Sequence, residues 1–179
     1  RHRSSAASDV YKRQDQNGDL IVVAGRPSMG KTSLAMNIAE NVLLDEDSKG
    51  AVLIFSLEMP GESLTTRMLS GICKLDQQNV RSGMLKDDEL RLLLQQSEKL
   101  KNLPLWIDDS SILSPMELRA KARRLARTEE NGLSLIVVDY LQLMQLPLST
   151  ENRVNQISEI SESLKSLAKE LNVPVIALS

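Results

Sequence analysis

Five short apolar runs, rich in β-branched residues and separated from one another by amphipathic helical segments, constrain this chain more than any other feature of its sequence. They are "DLIVVAG", "AVLIFSLEM", "LPLWIDD", "LSLIVVDYLQLM" and "VPVIALS". Near-continuous apolar runs suit strands buried on both faces, as in a parallel sheet; a strand wetted on one side would alternate apolar with polar. The segments between them carry apolar residues at helical spacing, as in "TSLAMNIAENVLL", "PGESLTTRMLSGICKL" and "KDDELRLLLQQSEKLKN". Ser114 and Pro115 mark the start of a further helix, and Gly132 its expected stop. The alternation predicts an α/β fold: a mostly parallel central sheet, helices on both faces and right-handed crossovers.

Composition narrows the function classes. The chain is 41% hydrophobic and 26% charged, ordinary values for a soluble globular domain. No apolar run approaches the roughly 20 residues of a membrane-spanning helix, so no membrane partner and a cytoplasmic location are expected. Residues 1–14, "RHRSSAASDVYKRQ", lack apolar periodicity and read as a disordered or non-native leader, which leaves 15–179 as one domain. The only histidine, His2, falls in that leader, which excludes histidine-cluster metal sites and serine–histidine catalysis. Cys73 is the lone cysteine and sits at a helical apolar position, so it is expected in the core. Without the leader, 18 Lys and Arg face 23 Asp and Glu, and aromatics make up 2% of the chain. A broad basic face and a stacking platform for nucleic acid are both missing, so any such contact must come from local loops.

Between the first run and the first helix lies "GRPSMGKT", which fits the phosphate-loop pattern of glycine, four residues, glycine, lysine, then serine or threonine. The loop comprises Gly25, Arg26, Pro27, Ser28, Met29, Gly30, Lys31 and Thr32. Its glycines let successive amides turn toward phosphate, Lys31 reaches the β and γ phosphates, and the Thr32 hydroxyl ligates magnesium. The helix that follows points its positive end at the same anion. ATP and Mg2+ are the expected cofactors.

Downstream, "LIVV" leads into Asp139, the pattern in which an aspartate at a strand's carboxyl end supports the metal. Alone, such an acid reads equally as a turn residue; downstream of a phosphate loop it reads as the metal-side acid. Glu58 ends the strand after the phosphate-loop helix, where a parallel sheet opens onto its ligand crevice. It could polarise an attacking water, or simply start the next turn. Asp108 and Asp109 also end a strand and read as turn-forming acids.

Taken together, "GRPSMGKT", "FSLEMP", "ELRAKARRLAR", "LIVVDYLQLM" and "SLKSLAKELNVPVIALS" resemble, in order, the motor domain of DnaB-type replicative DNA helicases. The resemblance runs from Asp19 to Ser179. It implies a RecA-like fold and a homo-hexameric ring that hydrolyses ATP, moves on single-stranded DNA and meets other replication proteins. By the same resemblance Lys31 and Glu58 are catalytic, with Glu58 the general base, while Thr32 and Asp139 serve the metal. The loop "PLSTENRVNQ" would face the ring's channel, making Arg153, its only basic residue, a possible DNA contact; read without the family, it is an exposed loop that caps the next helix. The family pattern continues past "ALS" into a γ-phosphate sensor and a basic finger. The 179 residues alone are therefore expected to be an incomplete domain that binds DNA weakly and nucleotide far better than it hydrolyses it. A RecA-like recombinase or clock-type ATPase, and a nucleotide-dependent assembly module, are the alternatives.

Overall fold

Each of the five apolar runs becomes a strand in a computed structural model, which describes residues 18–26, 30–111, 113–139, 141 and 153–179. They are β1 (Leu20–Val23), β2 (Ala51–Ser56), β3 (Leu105–Asp108), β4 (Leu133–Asp139) and β5 (Val175–Leu178). All pair in parallel, in the order β1-β5-β4-β2-β3. The three inner strands are the most deeply buried, and the four-residue edge strands β1 and β3 keep partial exposure. Short edges limit the unpaired backbone that a sheet presents to other chains. At the entry to β2, a Cβ on Gly50 would lie 2.5 Å from Ser134 Oγ and 2.8 Å from its backbone nitrogen. Only glycine lets β2 approach β4 so closely there.

Two apolar layers cover the sheet, as a sheet buried on both faces requires. On one face lie α1 (Lys31–Leu44) and α2 (Gly61–Cys73), burying Met36, Ala39, Val42, Leu64 and Met68 against Val52, Ile54 and Val137. On the other lie α5 (Pro115–Thr128) and α6 (Arg153–Leu171), where Leu118, Leu164 and Leu167 pack on Leu53, Phe55, Ile136 and Val138. Between α2 and β3 the chain forms α3 (Gln77–Ser82) and α4 (Asp87–Lys101). No periodic signal marks α3, a six-residue helix with no buried residue. It is fixed by its cap: Asp76 accepts from the amides of Gln78 and Asn79. Cys73 is buried, as expected, and burial pushes its thiol up from its ordinary value.

The α5 boundary follows its sequence signals at one end and departs from them at the other. Ser114 Oγ accepts from the Glu117 amide while the Glu117 carboxylate accepts from the Ser114 amide, a closed capping box ahead of Pro115. The far end stops at Thr128, earlier than Gly132 suggests. Gly132, at φ 64, instead makes the turn into β4, and its carbonyl accepts from the Ala51 amide at 2.8 Å. Among the described residues no helix is long and apolar enough to cross a membrane. The leader, residues 1–14, lies outside the described residues.

Candidate nucleotide site

Parallel pairing sets the carboxyl ends of β1, β5, β4 and β2 side by side, with Val23 opposite Leu178 and Ser56 opposite Asp139. The phosphate-loop segment leaves this edge from β1 and enters α1 at Lys31. Gly30 sits at φ 81 with nothing within 4 Å of a Cβ placed on it. What demands glycine there is the left-handed backbone rather than lack of space. Gly25 and Arg26 are exposed at the mouth of the loop; Pro27, Ser28 and Met29 lie outside the described residues.

Lys31 turns back over the loop, and its ammonium donates to the carbonyls of Gly25 and Ser179, each at 2.7 Å. The Gly25 amide also donates to the Ser179 carbonyl, at 3.2 Å, so the ends of β1 and β5 are tied at this point. One residue on, Thr32 Oγ1 donates to Asp139 Oδ2 at 3.0 Å, joining positions 107 apart in the chain. Glu58 lies in the turn after β2. Ser56 Oγ shapes that turn by donating to the Met59 carbonyl and accepting from the Met59 amide, and the Leu57 amide donates to the Asp139 carbonyl at 2.7 Å. Glu58 itself is exposed, whereas Asp139 is 2% exposed.

Burial raises the Asp139 carboxyl above its ordinary value and the Glu58 carboxylate adds to the rise; the Thr32 hydrogen bond and the charges of Arg67 and Lys31 oppose it. Among the described residues, the buried Asp139 carboxyl has a single side-chain hydrogen bond, from Thr32. A hydroxyl and a carboxylate, both hard oxygen donors, are a fitting partial set for a magnesium ion that keeps most of its waters and phosphate ligands. A folded-state value raised above the unfolded one favours folding fully below the unfolded value, and that contribution is lost as pH rises through the folded value. Asp139→Asn is therefore expected to melt at or above the temperature of the unaltered chain near pH 7 without magnesium. The difference should close near pH 3, below the ordinary aspartate value of about 3.9. Thermal melts at both pH values check this, and a variant less stable at pH 7 would contradict the electrostatic account.

The remaining sequence candidates divide. Asp108 and Asp109 have structural work, as the sequence suggests. Burial alone would raise Asp108, but hydrogen bonds from Lys121 and Ser110 outweigh it and hold the carboxyl below its ordinary value. Asp109 Oδ2 accepts from the Gly61 amide at 2.9 Å, capping the start of α2. Arg153 opens α6, but its side chain and the loop before it lie outside the described residues. Sequence reasoning missed Arg67, a half-buried cation in α2 whose charge reaches Asp139. The only signal for it was its place nine positions after Glu58, beside the apolar residues Leu64 and Met68.

A family model described as the DnaB-like helicase C-terminal domain matches residues 10–179. The replicative DNA helicase DnaB of Pasteurella multocida (strain Pm70) is 53% identical over 166 residues, and that of Buchnera aphidicola subsp. Acyrthosiphon pisum (strain APS) is 52% identical over 165. Each match covers 92% of this chain and 35% of the relative, so the chain spans about a third of the length of these curated relatives. Among solved structures, a DnaB-like replicative helicase, described together with its interactions with primase, superposes with a TM-score of 0.83 at 30% identity. That match covers 91% of this chain and 39% of the other. The parallel sheet with helices on both faces is thus the RecA-like arrangement that the sequence leads one to expect, and the chain belongs to the family of DnaB-like helicase C-terminal domains.

Proposed function

We propose that this chain is the nucleotide-binding core of an ATP-driven motor that unwinds duplex DNA by moving on single-stranded DNA. The observation that carries the reading is the Thr32–Asp139 hydrogen bond at 3.0 Å, which brings a phosphate-loop hydroxyl and a strand-end carboxylate together between Lys31 and Glu58. Family membership supports it, as do relatives named replicative DNA helicase DnaB.

In this reading Lys31 exchanges the Gly25 and Ser179 carbonyls for β and γ phosphate oxygens, which offer it stronger, charge-assisted bonds. The loop from Gly25 to Gly30 supplies amides, and the amino end of α1 supplies a favourable dipole for the same anion. Thr32 and Asp139 are the residues that would hold magnesium, through the hydroxyl and carboxylate oxygens that now bond to each other. Held there, magnesium would supply positive charge against the charge that builds on the leaving group. Glu58 accepts a proton from the attacking water as its oxygen bonds to the γ phosphorus and the bond to the β–γ bridging oxygen breaks, releasing ADP and phosphate. Arg153 is a candidate phosphate contact for single-stranded DNA, and a homo-hexameric ring would set six such positions around one channel.

The test is hydrolysis of magnesium-ATP by the intact protein carrying this segment, with and without single-stranded DNA, together with strand displacement. DNA should stimulate turnover and turnover should drive unwinding. Hydrolysis indifferent to DNA would overturn the motor reading in favour of an assembly ATPase.

A further inference from the structure

Glu58 is exposed, yet a general base must keep its carboxylate aimed at one water, so its aim has to come from the backbone that carries it. That backbone, the turn from Leu57 to Gly61, follows β2, which lies between β4 and β3 in the sheet. β4 holds the start of the turn: the Asp139 carbonyl accepts from the Leu57 amide at 2.7 Å. The Ser56 hydroxyl closes the middle on Met59, accepting from its amide and donating to its carbonyl. Neither contact reaches the far end, where Pro60 passes to Gly61, and glycine is the residue with the most backbone freedom to lose.

β3 supplies the missing hold. Asp109, the residue after β3, accepts from the Gly61 amide through Oδ2 at 2.9 Å, across 48 positions of chain. Gly61 is also seated against the strand itself, since a Cβ placed on it would come within 3.2 Å of Ile107 Cγ2 and 3.5 Å of the same Asp109 oxygen. The two neighbouring acids divide their work. Asp108 takes the Lys121 ammonium of α5, whereas Asp109 has, among the described residues, the Gly61 amide as its one hydrogen-bond partner. A carboxylate bonded to an amide at the amino end of a helix is a charge-assisted contact that the helix dipole strengthens.

We propose that Asp109 is a positioning residue for the hydrolytic step: by holding the Gly61 amide from the end of β3, it closes the frame around the turn that aims Glu58 at the attacking water. The proposal rests on Glu58 being the general base. With Asp109 in place, both strands that flank β2 set the direction in which Glu58 leaves it, β4 at Leu57 and β3 at Gly61. Without it the turn keeps its start but can pivot at Gly61, and a displacement of about 1 Å at a reacting group costs on the order of 100-fold in rate.

The experiment uses the intact protein with Asp109→Ala, Asp109→Asn, which keeps an oxygen for the Gly61 amide, Glu58→Gln, and the double variant Asp109→Ala with Glu58→Gln. Kinetics are read well below the melting temperature of each variant, so that loss of the helix cap itself does not register. Asp109→Ala should lower kcat about 10- to 100-fold, with nucleotide affinity changed by less than about threefold because the phosphate loop is untouched. Asp109→Asn should restore kcat to within about threefold of the unaltered protein, since the anchor needs an acceptor rather than a charge. The double variant should turn over no more slowly than Glu58→Gln alone, because the two residues act as one unit. Unchanged kcat in Asp109→Ala, an Asp109→Asn variant as slow as Asp109→Ala, losses that multiply in the double variant, or a fall in nucleotide affinity that matches the fall in kcat would each overturn the proposal. Slow turnover in Glu58→Gln beside full turnover in Asp109→Ala would overturn it while leaving the base in place. Full turnover in Glu58→Gln would overturn the assignment of the base as well.

Discussion

Lys31→Ala is expected to remove magnesium–nucleotide binding while leaving the fold in place. The ammonium now makes two charge-assisted bonds, at 2.7 Å to the Gly25 and Ser179 carbonyls, and would transfer them to phosphate oxygens. Hydrogen bonds to charged groups contribute about 1.5–3 kcal/mol each, so two of them correspond to roughly a hundredfold to ten-thousandfold in affinity. The amides of the loop and the dipole of α1 remain in the variant, but they are the weaker part of the attraction. On the structural side, the Ser179 carbonyl keeps the Gly25 amide at 3.2 Å and the β1–β5 pairing is untouched, so the sheet edge survives. Calorimetric titration of the nucleotide checks this, with circular dichroism as the control for folding. Affinity unchanged by the substitution would sink the phosphate-loop assignment.

That prediction could be made from sequence alone, because a phosphate loop is a local object: its glycines, lysine and threonine are contiguous, and the strand before it and the helix after it read directly from periodicity. The same holds for the capping box at Ser114 and for the burial of Cys73. Asp139 needed one further step, that its strand ends at the same edge of the sheet as the strand leading to the loop helix, although β5 lies between the two. The register of β4 against β2, and of β5 against both β1 and β4, turns that step into geometry. Strand order itself was not legible. Five apolar runs of similar composition carry no label saying which neighbour each will take, and the order β1-β5-β4-β2-β3 follows from crossovers rather than from any residue.

Arg67 and Asp109 illustrate the same limit at the level of single side chains. Asp109 caps α2 from 48 positions away, a pairing created by β3 lying beside β2. In sequence it reads only as an acid before serines. Arg67 sits between Leu64 and Met68, where a helical pattern predicts a boundary residue, and its charge reaches Asp139 only because α2 packs on the face of the sheet beside α1. The short helix Gln77–Ser82 escaped because it buries nothing and so leaves no periodic mark.

Glu58→Gln should leave nucleotide binding unchanged or slightly tighter and lower turnover in the intact protein by about 10²- to 10⁴-fold, the usual contribution of a positioned general base. Two carboxylates compete for that role, and their surroundings separate them. Asp139 is 2% exposed, bonded to Thr32 and raised by burial, the placing of a group that meets a cation rather than a mobile water. Glu58 is exposed, on a turn whose backbone is pinned by Ser56 and by the Asp139 carbonyl, so the carboxylate has a fixed base and a free end. Glutamine preserves the length and the hydrogen-bonding carbonyl but accepts no proton at neutral pH, so water can still be held without being activated. Removing a negative charge near the phosphates relieves repulsion in the bound state, which is why affinity should not fall. Single-turnover hydrolysis with a parallel binding titration separates the two effects. Turnover retained in the variant would move the base elsewhere, and Asp139, already committed to Thr32, would then have to serve both metal and water.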